Sequence, residues 1–449
     1  MSYIFDLILV LLFCFLGVLT GILTGLIPGL HVNNIALILL SLSAGFISVF
    51  SFLLEYGFTI SFIFVLISIY ILSCSLAHTF LDCIPSTFLG APDPDTALSV
   101  LPAHSLFVEG KGYEAVSLSA LGSFGAIVFC MFLLVPVRLI IGEPIFFYDI
   151  LKNIMFFVLL AISILMIGTE KGKIEIKSKK GAYSSVIGMF FALFVFLLSG
   201  IFGIIIFKIP VESPIGTESP VLFPALAGLF GTSTLINSLM EKPFIPEQKI
   251  ENVVFDSKMK KSSVLSVITG SVGGILVSII PGITSATGTV LALNIRGESS
   301  KKQTIVTLSA VNTACAFFVV VMMFVILRAR SGAALAVMDL VSVSEWSSGF
   351  IPLYLIYFLI ALVFAGSLSY FFTLYFGKIF AKKFAKISYT LMIKLTIPFA
   401  IIMVFLFTGF LGLLILLVAT LIGLLPVFWG VRRSHCMGIL LFPILLYFL

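Results

Sequence analysis

The chain carries very little charge for its length. Only 10% of its 449 residues are charged and 60% are hydrophobic, whereas about 25% charged residues are usual in a soluble domain. The mean hydropathy of +1.25 and the long apolar runs exclude a soluble globular protein and the alternating pattern of a membrane barrel. The net charge of +6 comes from lysines in short loops, which set membrane orientation, so it does not indicate a nucleic-acid partner.

Motifs that carry enzyme or metal chemistry are also missing. The chain has no H-E-x-x-H, no paired cysteine motif and no G-x-S-x-G, which mark metallopeptidases, metal or redox sites, and serine hydrolases. A partial likeness to intramembrane aspartyl proteases, at Tyr148-Asp149 and Pro224-Ala225-Leu226, lacks their second aspartate motif. We therefore predict no enzyme activity, no metal site and no cofactor.

Two stretches share one pattern, in which small residues recur at every fourth position before a Pro-Gly pair. The proline ends a helix because it cannot donate a hydrogen bond, and in hydrocarbon the freed backbone groups need partners in protein or water. A broken helix at matching places in two halves indicates a transporter's binding site, where the restarting helix directs its positive end at an anion. A hairpin turn between packed helices is the alternative. The patterns are Gly17, Gly21, Gly25, Pro28-Gly29 and Gly270, Gly274, Ser278, Pro281-Gly282.

Polar side chains follow both breaks, and one amide lies inside the next apolar run of the second half. Such groups can bind a substrate, and they can equally cap a restarting helix, pack as a core histidine, or join two helices. We predict that they bind the substrate together with the Pro-Gly pairs. The predicted substrate-binding residues are Pro28, Gly29, His31, Asn33, Asn34, Pro281, Gly282, Thr284, Ser285, Thr287 and Asn312.

A stretch rich in proline and aspartate, residues 78–96, interrupts the apolar runs of the first half. Its prolines predict an irregular, re-entrant segment. An ionisable group at membrane depth is costly and by default functional, so we predict that Asp82, Asp93 and Asp95 couple transport to H⁺ or Na⁺. His78 and His104 are further candidate proton carriers. An ordinary solvated loop is the alternative for Asp93 and Asp95.

The positions of lysine and arginine predict the topology. The loop at 170–180 holds five lysines and is predicted to be cytoplasmic, and counting crossings from it gives the two broken hairpins opposite orientations. The predicted fold class is an all-α polytopic membrane protein with an inverted-topology repeat and roughly 10–13 membrane segments. Its units are 1–168, the first repeat; 169–261, connecting helices and loops; 262–376, the second repeat; and 377–449, C-terminal helices. The count places Arg328 and Arg330 outside, where they attract a carboxylate or form a polar interface pair.

These motifs resemble the large permease subunit of tripartite tricarboxylate transporters, the TctA family, over residues 17–332. Both hairpins are similar to the family's, as are residues 90–98, Pro102 and residues 109–112. The family differs at Leu89, at Ser99-Val100 and at His31, and often has a second asparagine beside Asn312. The resemblance implies the family's fold and a transport role. It leaves open the tricarboxylate substrate and the family's two partners, a small membrane subunit and a solute-binding protein.

We therefore predict a multi-pass protein of the cell membrane, a secondary transporter (permease) of a small organic anion, with a carboxylate favoured, driven by H⁺ or Na⁺. One alternative keeps the architecture but carries a lipid phosphate such as polyprenyl phosphate. Two others are an intramembrane enzyme that uses Asp82 and Asp149, and a membrane scaffold that transports nothing. The predicted partners are the lipid bilayer and the anionic substrate, with no nucleic acid.

Overall fold

A computed structural model describes most of the chain, and the regular structure of this part is helical, with no β-strand. The described residues are 3–27, 36, 40, 43–89, 100–170, 182–214, 221–241, 247–251, 256–280, 283, 285–296, 300–347, 349–384 and 389–449.

The helices are numbered in chain order. Those of the first third are α1 (Tyr3–Leu26), α2 (Ser43–Phe50), α3 (Phe52–Glu55), α4 (Ile60–Leu81), α5 (Cys83–Leu89), α6 (Val100–Val108), α7 (Gly112–Ile141), α8 (Phe147–Asn153) and α9 (Met155–Gly168). The middle holds α10 (Ala182–Ile206), α11 (Leu222–Leu226), a π-helical turn (Ala227–Thr232) and α12 (Ser233–Glu241). Next come α13 (Ser257–Ile279), α14 (Ser285–Arg296), α15 (Lys301–Val325), α16 (Gly332–Leu340) and α17 (Leu353–Phe384). The chain ends with α18 (Tyr389–Phe428), which is interrupted by a kink at Gly409, a 3-10 turn (Arg433–Met437) and α19 (Gly438–Phe448).

Eight helical segments in the described ranges are long and apolar enough to cross a membrane. They are α1, α4 with α5, α7, α10, α13, α15, α17 and α18, and α8 with α9 forms a ninth if this pair, bent by 74°, is one span. These segments confirm the predicted all-α polytopic class, since a helix needs about 20 apolar residues to cross a bilayer. The predicted total of roughly 10–13 segments stays a prediction.

The first glycine stripe lets α1 approach α4 closely. A Cβ atom placed on Gly17 would overlap the carbonyl oxygen of Tyr70, and one on Gly21 would overlap that of Cys74 and lie 2.7 Å from Cβ of Ala77. No side chain fits there, so glycine is required for this contact. Residue numbers rise together along the two helices, which therefore run parallel.

The second glycine stripe packs α13 on α15 in the same way. A Cβ atom on Gly270 would lie 2.5 Å from the carbonyl oxygen of Thr307, and one on Gly274 would lie 2.5 Å from that of Val311 and 2.6 Å from Cβ of Ala314. The glycines of the two halves are 253 positions apart and their partners 237. The two halves therefore repeat one helix pair, with a connection about 16 residues longer in the first.

The crossing helix of the first half packs against the last helix of the second. On α4 and α17, the rings of Phe62 and Tyr357 lie 6.1 Å apart, and the Thr373 hydroxyl donates to the carbonyl oxygen of Phe80 at 3.4 Å. The residue numbers of the two helices again rise together from one contact to the next. Consequently α1, α4 and α17 run in one direction.

The crossing helix of the second half packs against the last long helix of the first. Lys302 at the start of α15 pairs with Glu114 at the start of α7, and a Cβ atom on Gly142, just after α7, would lie 3.1 Å from Val325, the last residue of α15. Therefore α7, α13 and α15 also share a direction.

The two sets of three helices run in opposite directions. Between α7 and α17, Ile127 lies against Gly366 and Val116 against Gly377, so numbers rise on one helix while they fall on the other. Each half thus contributes two helices to one set and one helix to the opposite set. This exchange supports the predicted inverted repeat, whose orientation across a membrane stays a prediction.

The acidic stretch is more helical than its prolines predict. Helix α4 includes His78 and ends at Leu81, and after a turn at Asp82 the chain continues as α5. Pro85 is the third residue of α5, in the first helical turn, where a missing N–H leaves no helical bond unmade. The irregular segment that the sequence predicts therefore does not include residues 78–89, and residues 90–99 lie outside the described ranges.

A buried carboxylate joins the C-terminal helices to α9. Glu170 is 4% exposed, and its Oε2 accepts hydrogen bonds from His435 Nε2 at 2.7 Å, from Arg432 Nε at 3.1 Å and from the Arg432 backbone N–H at 3.0 Å. The Arg432 guanidinium also donates to Thr169 at 2.9 Å. The sequence patterns did not reveal this cluster because its members are more than 260 positions apart.

Candidate functional site

The second broken hairpin has two antiparallel arms. Helix α13 ends at Ile279 and α14 begins at Ser285. The Arg296 guanidinium at the end of α14 donates to the Ser262 hydroxyl near the start of α13 at 2.9 Å, so the arms return to the same end. Pro281, Gly282 and Thr284 lie outside the described residues, as does the side chain of Thr287.

One hydrogen bond ties the restarting helix to the middle of α15. The Ser285 hydroxyl donates to Oδ1 of Asn312 at 3.0 Å, and Asn312 is 7% exposed. Asn312 follows Lys301 by 11 residues and precedes Val325 by 13, which places it about 17 Å and about 20 Å from the helix ends at 1.5 Å per residue. Two of the predicted substrate-binding residues therefore meet at half depth of a membrane span.

An arginine reaches the same break from the other side. The chain turns back after α15, and Arg330 Nη2 donates to the carbonyl oxygen of Ile283 at 2.5 Å. Ile283 is 3% exposed and lies two residues before Ser285. The segment after α15 therefore folds back toward the hairpin, and the side of the membrane on which Arg330 lies stays a prediction.

At the first break, the described part carries a second polar pair. Thr24 Oγ1 and His78 Nδ1 are 3.2 Å apart and share a hydrogen bond, and the Thr24 hydroxyl also lies 3.2 Å from the carbonyl oxygen of Gly21. Asp82, one turn after His78, is 6% exposed. Its backbone N–H donates to the His78 carbonyl at 2.9 Å. The remaining predicted residues of this half lie outside the described ranges: Pro28, Gly29, His31, Asn33, Asn34, Asp93 and Asp95.

The two polar pairs lie at one depth of the bundle. Gly366 of α17 lies against both Ile127 of α7 and Leu76 of α4, so these three helices cross at one level. The register of α7 on α15 puts Asn312 within about one turn of Ile127, and His78 follows Leu76 by two residues, or about 3 Å. The Thr24–His78 and Ser285–Asn312 pairs are therefore level within about one helical turn.

Thr24 was not among the predicted site residues. It precedes the first Pro-Gly pair by four positions, and Thr20 precedes it by one further turn. Thr20 and Tyr70 share a hydrogen bond of 2.7 Å. Hydroxyl residues at four-residue spacing on a glycine-rich helix are the signal that would have found this polar face.

An apolar groove opens beside α1. Its volume is about 280 Å³, and the Thr20–Tyr70 pair is its polar part. The groove is on a helix whose exposed residues are large and apolar, such as Leu12 and Leu23, so it faces the lipid. It is lined by Phe13, Leu16, Leu19, Thr20, Phe50, Ile67 and Tyr70.

The geometry contradicts a pairing of Asp82 with Asp149. Cys83, next to Asp82, belongs to the same buried cluster as Val116 near the start of α7, whereas Asp149 follows the end of α7. The 25 residues from Val116 to Ile141 span about 37 Å. Two carboxylates at opposite ends of a membrane helix cannot share a proton or a substrate, so the enzyme alternative loses its proposed dyad.

A bundle of long apolar helices with polar pairs buried at mid-depth defines a multi-pass membrane protein. The model of the tripartite tricarboxylate transporter TctA family matches residues 11–438, and the chain belongs to this family of transporters. It is also 30% identical over 381 residues to the uncharacterized protein MJ1079 of Methanocaldococcus jannaschii. These aligned residues cover 85% of this chain and 88% of that protein. No solved structure matches the chain.

Proposed function

We propose that this protein is the permease for a small organic anion, with carboxylates as the substrate class, and that H⁺ or Na⁺ drives it. The observation that carries the proposal is the Ser285–Asn312 hydrogen bond at half depth of α15, at the first residue of a restarting helix. The N-terminal end of a helix carries partial positive charge and free N–H groups, which favour an anion. The family's name denotes tricarboxylates, which are anions of this kind.

The coupling ion is proposed to bind on the first half. Asp82 is almost fully buried within a membrane span, where an ionisable group is costly and is retained for function. We propose that Asp82, with Asp93 and Asp95, couples transport to the cation. The family name also supports the proposal that a small membrane subunit and a solute-binding protein assist this permease.

The test combines ligand stabilisation with substitution of the amide. Citrate, succinate and acetate are added to the purified protein with and without Na⁺, and the melting temperature is followed, because a ligand of the native state raises it as RT ln(1 + [L]/Kd). Asn312→Ala is expected to raise the Kd for citrate about tenfold, the effect of losing one hydrogen bond of about 1.4 kcal/mol.

A matched control lies one turn earlier on the same helix. Ser309 is equally buried, and its hydroxyl bonds that of Ser119 on α7 at 2.7 Å, away from the break. Ser309→Ala is expected to leave the Kd for citrate within about twofold. An equal loss in both variants would assign the effect to helix packing, and a wild-type protein that no carboxylate stabilises would overturn the proposal.

The lipid-facing groove favours a second candidate substrate, a lipid phosphate. Thr20 at the groove is one turn from Thr24 at the first break, so an isoprenoid tail in the groove would place its headgroup near mid-depth. Stabilisation by undecaprenyl phosphate but not by citrate would select this candidate. Leu16→Trp, which fills the groove, is then expected to abolish the effect.

A further inference from the structure

We infer that Arg330 makes the second break selective for anions and sets its preference for multiply charged carboxylates, an inference that rests on the proposed function. The match to the TctA family assigns no role to this residue.

Two sources of positive charge meet at the second break. The Arg330 guanidinium reaches the backbone at Ile283, and α14 begins two residues later at Ser285. The first N–H groups of a helix have no acceptor within the helix and give it its positive end. A cation and a helix N-terminus repel each other, but both attract the same anion. Their convergence therefore favours an anionic occupant over a neutral one.

The amide of Asn312 supplies an independent sign of a ligand at this place. The residue is 93% buried, and its oxygen is held by Ser285. Among the described residues no acceptor meets its Nδ2 group, and this nitrogen is not one of the fully buried atoms, so it can donate to a ligand. A carboxylate beside α14 would accept from Asn312 Nδ2 and from the N–H groups of the helix, with Arg330 as its charged neighbour.

The neighbouring arginine takes no part in this arrangement. Arg328 is exposed, and its guanidinium lies over the ring of Tyr148 on α8, 5.6 Å from the ring centre. The two arginines share a segment, a charge and a side-chain type, but among the described contacts Arg330 bonds the hairpin and Arg328 does not. Arg328 is therefore a matched control for Arg330.

The experiment measures the Kd of citrate, succinate and acetate for the wild type, Arg330→Gln and Arg328→Gln by thermal shift of the full-length protein. Arg330→Gln is expected to raise the Kd for citrate roughly ten- to a hundredfold, because one charge-assisted contact is lost, and to raise the Kd for acetate much less. The Kd values of Arg328→Gln for all three carboxylates are expected to stay within about twofold of the wild-type values. Citrate binding by Arg330→Gln equal to that of the wild type would overturn the inference and leave the proposed function standing.

The failure of the proposed function looks different, because then none of the three carboxylates stabilises the wild type. If Arg330→Gln lowers the melting temperature of the ligand-free protein, Arg330→Lys takes its place. It keeps the charge and loses the planar fork, so citrate is expected to bind within about tenfold of the wild type. A complete loss of binding in Arg330→Lys would show that Arg330 shapes the hairpin and does not select charge, which would overturn the inference.

Discussion

The replacement of Gly274 by alanine tests whether the glycine stripes hold the hairpins against the crossing helices. The new methyl group would lie 2.5 Å from the Val311 carbonyl oxygen and 2.6 Å from Cβ of Ala314, and contacts under 3.0 Å essentially do not occur. Both neighbours belong to the core of the bundle and neither is the flexible end of a side chain. The helices α13 and α15 must therefore move apart by about 0.5–1 Å, which loosens their packing over several turns.

Two effects of opposite sign set the magnitude. Overpacking a well-packed core costs about 1–3 kcal/mol, and alanine is better than glycine inside a helix by about 0.8–1 kcal/mol. The expected net loss is up to about 2 kcal/mol, and Gly21→Ala is expected to match it because its surroundings on α4 are equivalent. At Gly168, at the end of α9, an added methyl group would have no atom within 4 Å, so Gly168→Ala is a control expected to be neutral or stabilising.

The assay is reversible unfolding of the purified protein in detergent micelles, and it measures the free energy of unfolding. Gly274→Ala and Gly21→Ala should both have a lower free energy of unfolding than the wild type, while Gly168→Ala should not. A Gly274→Ala protein as stable as the Gly168→Ala protein would refute the reasoning, since the close approach of α13 to α15 could not then be what stabilises the pair.

Two further predictions concern charged groups outside the breaks. Glu170→Gln leaves Arg432 and His435 without their shared carboxylate. Breaking a fully buried ion pair costs about 3–5 kcal/mol of unfolding free energy, and because the Arg432 side chain is 32% exposed we expect a loss of about 2–3 kcal/mol. The control is Glu143→Gln, in a more exposed pair with Arg138, which is expected to lose under 1 kcal/mol. The hydrogen bond from Lys301 lowers the pKa of Glu109 below its ordinary 4.5, so the pair stabilises the fold above that pH and the gain is lost as the pH falls through the lowered value. Both groups are half exposed, so Glu109→Gln should melt only slightly below the wild type at pH 7, and the gap in melting temperature should shrink as the pH falls below 4.5. A gap that grows with falling pH would contradict this sign.

The class of the protein and the close helix contacts at its two glycine stripes follow from local features of the sequence. Long apolar runs predict spans because lipid cannot satisfy a free backbone group, and the small residues at every fourth position predict close helix approach, as Gly21 and Gly274 show. The bond between Ser285 and Asn312 was within reach of the sequence, since both were predicted to bind the substrate.

Features that depend on the path of the chain between spans were not predictable. A count of crossings gives only the side on which a connection lies, and it cannot show that the segment after α15 folds back so that Arg330 reaches Ile283. The helix through residues 78–89 was missed because proline was interpreted as a breaker at every position, although the first turn tolerates it. The Glu170 cluster depends on residues of very distant sequence, which no local pattern connects.

The exchange of helices between the halves determines the order in which the protein can be completed in the membrane. Helix α15 packs on α7 and α13, which both precede it in the chain, so its partners are already present when it leaves the ribosome. Helix α4 packs on α17, which is made more than 270 residues later. Until then the face of α4 that α17 covers, which includes Phe62 and Phe80, has no permanent neighbour. Synthesis of α17 is thus the step that closes the first half as well as the second, and truncation before it leaves both unfinished.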